Sequence, residues 1–147
     1  GRPASGPLDG DGRRSIYLSV RRNFLSPWML VFDTPIPLGP VGRRNNSNVP
    51  AQPLALLNDP FVIEQAHFWA QKAIATAGQS PAAIITSLYR DAFSRPPTNE
   101  ELHAAMDFLT TLASERNLEE TDWPKSEELW ADYAHVLLNT KEFIYLP

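Results

Sequence analysis

Three histidines, His67, His103 and His135, are the first residues whose chemistry would matter, because imidazole is a common metal ligand and proton carrier. The elements predicted around them put each on a different helix, and none forms an i, i+4 pair of the HExxH kind with a second ligand. A zinc site needs three or four ligands converging at about 2.0–2.3 Å. Nothing in this spacing predicts convergence, so no metal site is expected. His135 and Asn139 lie four apart on one helix face and suit a structural tie to neighbouring backbone.

Paired carboxylates are the next candidates for acid–base work. Glu100/Glu101, Glu119/Glu120 and Glu127/Glu128 fall at helix starts or in a loop. Negative charge at a helix start interacts favourably with the helix dipole, and that reading is preferred to catalysis. No GxSxG, P-loop or GxGxxG occurs, and no enzyme is read from motifs.

Two polar stretches remain. Arg13, Arg14, Arg21 and Arg22 within RRSIYLSVRRNF could meet an anion, although surface or intramolecular pairing is favoured for them. The stretch RRNNSNVPAQPLALLNDPF, residues 43–61, gathers Arg43, Arg44, Asn45, Asn46, Ser47, Asn48 and Gln52 at one corner, stiffened by Pro50 and Pro53. Amides and guanidinium groups in a stiff loop suit sugar hydroxyls or carboxylates. They also suit the satisfaction of backbone groups where a loop crosses a helix bundle, and this structural role is favoured. If the stretch is instead a ligand site, its lining is expected to be Asp33, Arg44, Asn48, Gln52, Asp59 and His135.

The totals bound these options. A chain of 147 residues with 43% hydrophobic and 10% aromatic content has the composition of one folded domain. A formal net charge of −4 argues against a nucleic-acid partner, which would call for a basic face. The absence of cysteine removes disulfides, thiolate zinc sites, cysteine nucleophiles and covalent haem attachment from this chain. No apolar run reaches the roughly 20 residues of a membrane span, and no signal peptide is visible. The opening Gly-Arg-Pro-Ala-Ser is read as that of a mature, trimmed or excised piece of a longer protein.

The elements that must position the candidates are nearly all helical. Residues 1–14, rich in Gly and Pro, read as a linker or flexible arm, and 15–147 as a single domain. Ser15–Val20 is a possible short strand without an obvious partner. Ser26-Pro27 opens a short helix, and the prolines of DTPIPLGPVG keep 33–42 irregular. Pro53–Leu57 is predicted to form a short helix. Asp59-Pro60 caps a longer one, with an imperfect stripe at Phe61, Ile63/Glu64, Phe68 and Ala70/Gln71, ended by Gly78. Ser80-Pro81 begins a helix to Phe93, with Ile84, Ile85, Leu88, Tyr89 and Ala92 inward. Thr98 to Glu101 is a capping box for a helix whose stripe is Leu102, Ala105, Met106, Leu109, Leu112 and Ala113. A charged loop, ERNLEETDWPK, precedes a last helix over 127–139. The expected fold is mostly α, an antiparallel bundle of four to five helices with an irregular N-terminal third and at most one short strand.

The segments IYLSVRRNF, FDTP, RRNNSNVPAQPLALLNDPFV, LYRDAFSRPPTNEEL and WADYAHVLLNTKEFIYL occur in an order that resembles the planctomycete secreted-domain family, a domain of unknown function. The resemblance covers almost everything after residue 13. Where the family usually has Gln-Ala-Leu, this chain has Gln52-Pro53-Leu54, and a proline there fits the first turn of a helix. The resemblance implies the C-terminal part of a large secreted or periplasmic protein that often also carries cytochrome c-like modules. It supplies no catalytic residues. The polar positions it shares are Asp33, Arg44, Asn48, Gln52, Asn58, Asp59, Arg90, Arg95, His135, Asn139 and Glu142.

The expectation is therefore a non-catalytic interaction or scaffold module that holds no cofactor of its own. Its partners would be the remaining domains of the parent protein or a cytochrome c-like module. The competing expectation is a carbohydrate- or anion-binding or hydrolytic domain acting on a glycan.

Overall fold

The computed structural model describes residues 27–32, 42, 51–78 and 80–144. Helix accounts for 83% of these residues and no strand occurs among them, which makes the fold mostly α. The expected arm at 1–14, the possible strand at Ser15–Val20 and the arginines at 13, 14, 21 and 22 lie outside the described residues. The chain divides into two compact units, Gly1–Phe61 and Val62–Pro147.

In the first unit, α1 (Pro27–Val31) and α2 (Ala51–Asn58) pack together. Pro53 sits in the first turn of α2, where a backbone N–H has no intrahelical acceptor to lose. The α2 helix begins two residues before the predicted start, so this first turn holds Gln52 as well. Trp28 packs at a tilt against Phe32, 4.6 Å between ring centroids, and against Phe61 at 6.2 Å, a small aromatic cluster.

The second unit is built from most of α3 (Pro60–Ala77) together with α4 (Pro81–Phe93), α5 (Asn99–Glu115), a 3-10 turn at Glu120–Lys125, α6 (Glu127–Leu138) and α7 (Lys141–Ile144). Its core is dominated by Ile84, Ile85, Leu88, Leu109, Leu129 and Trp130, each fully buried. The stripes predicted for α4 and α5 face this core: Ile84, Ile85, Leu88 and Tyr89 are buried on one, Ala105, Leu109 and Ala113 on the other.

The stripe on α3 agrees with the predicted one at Ala70 but not at Ile63 or Phe68. Val62, Ala66, Ala70 and Ala73 are buried, while Phe68 is 52% exposed and Ile63 is exposed. The face of α3 that carries Ala66, Ala70 and Ala73 lies in the core, with Trp69 and Ile74 packed against it.

Helix ends follow the sequence signals closely. Gly78 takes a φ of 80°, the left-handed conformation that ends α3. Ser94 closes α4 at φ 57°. The Thr98–Glu101 capping box is formed in both directions. After α5, Asn117 adopts φ 55°; its N–H reaches the Ser114 carbonyl at 3.1 Å and the Leu118 N–H reaches Ala113 at 2.9 Å. These are the paired bonds of a Schellman ending with Asn in place of Gly.

The segment predicted as a charged loop instead contributes to the core. Trp123 and Pro124 of the 3-10 turn are buried, and the Trp130 indole N–H donates to the Trp123 carbonyl at 2.7 Å. Among the described residues no helix is long and apolar enough to cross a membrane.

Candidate functional site

The densest polar arrangement among the described residues surrounds Arg95, in the corner between α4 and α5. Local sequence fixes the place of this side chain. Ser94 turns the chain out of α4 through a left-handed residue, and Pro96-Pro97 restrict the backbone on the other side. The guanidinium carbon then lies 5.7 Å from the centre of the Tyr89 ring and 5.6 Å from that of Phe93, both on the last turns of α4.

Two carboxylates meet this guanidinium. Glu101, at the third position of α5, receives Nη1 at 2.8 Å and Nη2 at 2.7 Å. Glu142, on α7, receives Nε at 2.9 Å and Nη2 at 2.7 Å. A further Nη1 bond reaches the Pro96 carbonyl at 3.2 Å. A guanidinium has five N–H donors, and these five bonds occupy them all. Paired N–H donors on a carboxylate are the strongest form of this interaction.

The electrostatics follow from that geometry. Hydrogen bonds from Arg95 hold the Glu101 carboxyl at about 2, against an ordinary 4.5, with the Thr98 backbone N–H helping. Arg95 likewise lowers Glu142, and the two carboxylates raise Arg95 further above its ordinary value. Tyr89, whose ring carries Arg95, and Tyr133 are both buried. Burial raises both phenols, Tyr133 well above the ordinary tyrosine range, and the charge of Glu101 adds to this.

The residues expected to line a ligand site are placed as follows where they are described. Asp33, Arg44 and Asn48 lie outside the described residues. Gln52 is buried in α2 and its Nε2 donates to the Val31 carbonyl at 3.2 Å. Asp59 precedes α3, and its Oδ1 accepts from the Phe61 N–H at 2.9 Å, the predicted cap. These two belong to the first unit. His135 belongs to the second, half-buried on α6, and its carbonyl accepts from Asn139 Nδ2 at 2.9 Å, so the predicted tie runs from asparagine to histidine backbone. Of the remaining shared polar positions, Asn58 Nδ2 donates to the Leu54 carbonyl at 2.9 Å, Arg90 is exposed, and Arg95 and Glu142 meet as above.

Other charged contacts tie helix to helix. His67 Nδ1 lies 3.1 Å from Glu127 Oε1, joining α3 to the start of α6. Asp91 on α4 receives Lys72 Nζ at 2.9 Å and Trp69 Nε1 at 3.2 Å from α3. Arg116 pairs with Asp132 and Glu128 of α6. Among the described residues no group of three or more His, Cys, Asp or Glu could hold a metal ion. The Trp123 indole N–H is buried without a hydrogen-bond partner.

The site is thus a helical corner closed by one arginine and two glutamates, within a mostly α domain. The chain belongs to the family described as PSD1, protein of unknown function (DUF1553), whose pattern matches residues 4–109. No curated protein and no solved structure matches it. The family match stops at Leu109, inside α5, whereas the packed core continues through Trp123, Leu129 and Trp130. Arg95 and Glu101 fall within the match and Glu142 beyond it.

Proposed function

We propose that this chain is a non-catalytic interaction module of a larger secreted or periplasmic planctomycete protein. It packs on that protein's own N-terminal domains or on a cytochrome-bearing partner. The observation that carries this reading is the complete occupation of Arg95 by Glu101, Glu142 and the Pro96 carbonyl. With α7 in place Arg95 has no donor left to offer a substrate, and a general acid or base works best with a pKa near the operating pH. Glu101 at about 2 and a tyrosine pair raised by burial are displaced in the opposite sense.

Apolar groups, by contrast, are offered to the outside. Phe108 of α5 is exposed and lies 6.0 Å, ring to ring, from Tyr133 of α6; Val136, one turn beyond Tyr133, is exposed as well. Aromatic side chains such as Phe108 are enriched in protein interfaces.

Calorimetric titration of this chain with the separately produced remaining domains of its parent, and with a parent-encoded cytochrome c-like module, tests the reading. Binding at micromolar or tighter Kd, about −8 kcal/mol, is expected with one of them, weakened by a paired Phe108→Ser and Val136→Ser change. Heat of binding from neither, together with saturable binding or cleavage of a glycan, would overturn it in favour of a carbohydrate-directed role.

A further inference from the structure

We propose that α7 is a charge-held latch, fastened to the bundle by Glu142 on Arg95 and able to come away while the helices beneath stay folded. The case begins with what α7 lacks. It is four residues long, none of them buried: Lys141, Glu142 and Phe143 are exposed and Ile144 is half-buried. Isolated helices shorter than about 12–15 residues are marginal in water. Its amides at Phe143 and Ile144 both reach back to the Thr140 carbonyl at 3.2 Å, one bifurcated turn. Among the described residues of α7, side-chain burial is only partial and helix propensity is weak, yet α7 packs against α4 and α6. Among its described contacts the strongest are the two hydrogen bonds that Arg95 donates to Glu142.

The two glutamates on Arg95 are not equivalent. Glu101 is anchored three ways: within α5, by its side chain on the Thr98 N–H at 2.7 Å, and by its own N–H on the Thr98 hydroxyl at 3.2 Å. Glu142 has Arg95 alone among its described partners, and its side chain is 49% exposed against 31% for Glu101. Withdrawal of Glu142 leaves Arg95 still paired to Glu101, still bonded to Pro96 and still over the Tyr89 and Phe93 rings. The arginine keeps its place when the latch leaves. What is uncovered is the Nε–Nη2 edge, a two-donor fork of the shape that receives a carboxylate. An exposed ion pair of this kind is screened by salt.

Hydrogen–deuterium exchange on this chain, resolved to the 140–144 segment, tests the latch in wild type and in Glu142→Gln, at low and at high salt. In the variant, α7 amides are expected to exchange about fivefold faster, the scale of a lost exposed ion pair, while amides of α4 and α6 keep their wild-type rates. Rising salt is expected to speed α7 in the wild type and to change little in the variant. Unchanged α7 exchange in the variant would overturn the proposal. So would a variant in which α7, α4 and α6 accelerate together or the near-ultraviolet signal of Trp130 is lost, because α7 would then be an integral part of the core.

Discussion

Arg95 and Glu142 stand 47 residues apart in the chain and share two hydrogen bonds, Nε to Oε1 at 2.9 Å and Nη2 to Oε2 at 2.7 Å. Glu101, only six residues from Arg95, takes the other fork of the same guanidinium. One side chain thereby joins the end of α4, the start of α5 and the short α7. The local partner and the distant one have different consequences when removed.

Glu101→Gln should be the more damaging of the two carboxylate changes. It weakens two bonds to Arg95 and one half of the capping box at once. Thr98→Ala, which removes only the hydroxyl that accepts from the Glu101 N–H, should cost about 1 kcal/mol. Thermal unfolding should rank the variants Glu101→Gln below Thr98→Ala, with Glu142→Gln nearest wild type. A Glu142→Gln variant less stable than Glu101→Gln would contradict the unequal anchoring.

Acid should weaken the same corner. The Glu101 carboxyl has a folded value of about 2 against an ordinary 4.5, a depressed pKa. Such a group adds stability at pH values above its unfolded value and loses that contribution as pH falls through its folded value. Glu142 is lowered in the same direction by Arg95. Wild-type Tm is therefore expected to fall between about pH 5 and pH 2. In Glu101→Gln that fall should be shallower. Equal slopes in the two proteins would place the acid sensitivity elsewhere.

Much of this arrangement was legible in the sequence, and the reasons for the rest are specific. Thr98-Asn99-Glu100-Glu101, Asp59-Pro60, Ser80-Pro81 and Gly78 each encode a helix end within four residues, and each end forms where expected. The phase of α3 was only partly legible, because hydropathy favours Phe68 and Ile63 while the buried face carries Ala66, Ala70 and Ala73. Trp123 was hidden by its charged neighbours in ERNLEETDWPK, although a tryptophan next to a proline in a short acidic stretch was a signal that something there is buried. The meeting of Arg95 with Glu142 depends on tertiary structure and has no local signature. Both residues were among the shared polar positions, but nothing in their spacing said that they would meet each other.

Trp130 tests how firmly the 3-10 turn belongs to the core. It is fully buried, and its indole N–H holds the Trp123 carbonyl at 2.7 Å. Trp130→Ala should cost about 3–5 kcal/mol through the cavity and lost apolar contacts. Trp130→Phe restores most of the volume but leaves the Trp123 carbonyl without this donor, so a smaller loss of about 1–3 kcal/mol is expected. Chemical denaturation of both variants measures the two contributions. If Trp130→Phe matches wild type, the bond to the turn adds nothing to stability.

Gly78 ends α3 at φ 80°, and a side chain added there would meet nothing within 4 Å. The only obstacle to alanine is therefore the backbone conformation itself. Left-handed φ costs a non-glycine residue roughly 1–2 kcal/mol, so Gly78→Ala should lower stability by about that amount. Gly78→Asn should lose less, because asparagine tolerates this region better than alanine does. Equilibrium unfolding in urea distinguishes them. The order wild type, Asn, Ala is expected; an alanine variant as stable as wild type would mean that α3 can end by another conformation without cost.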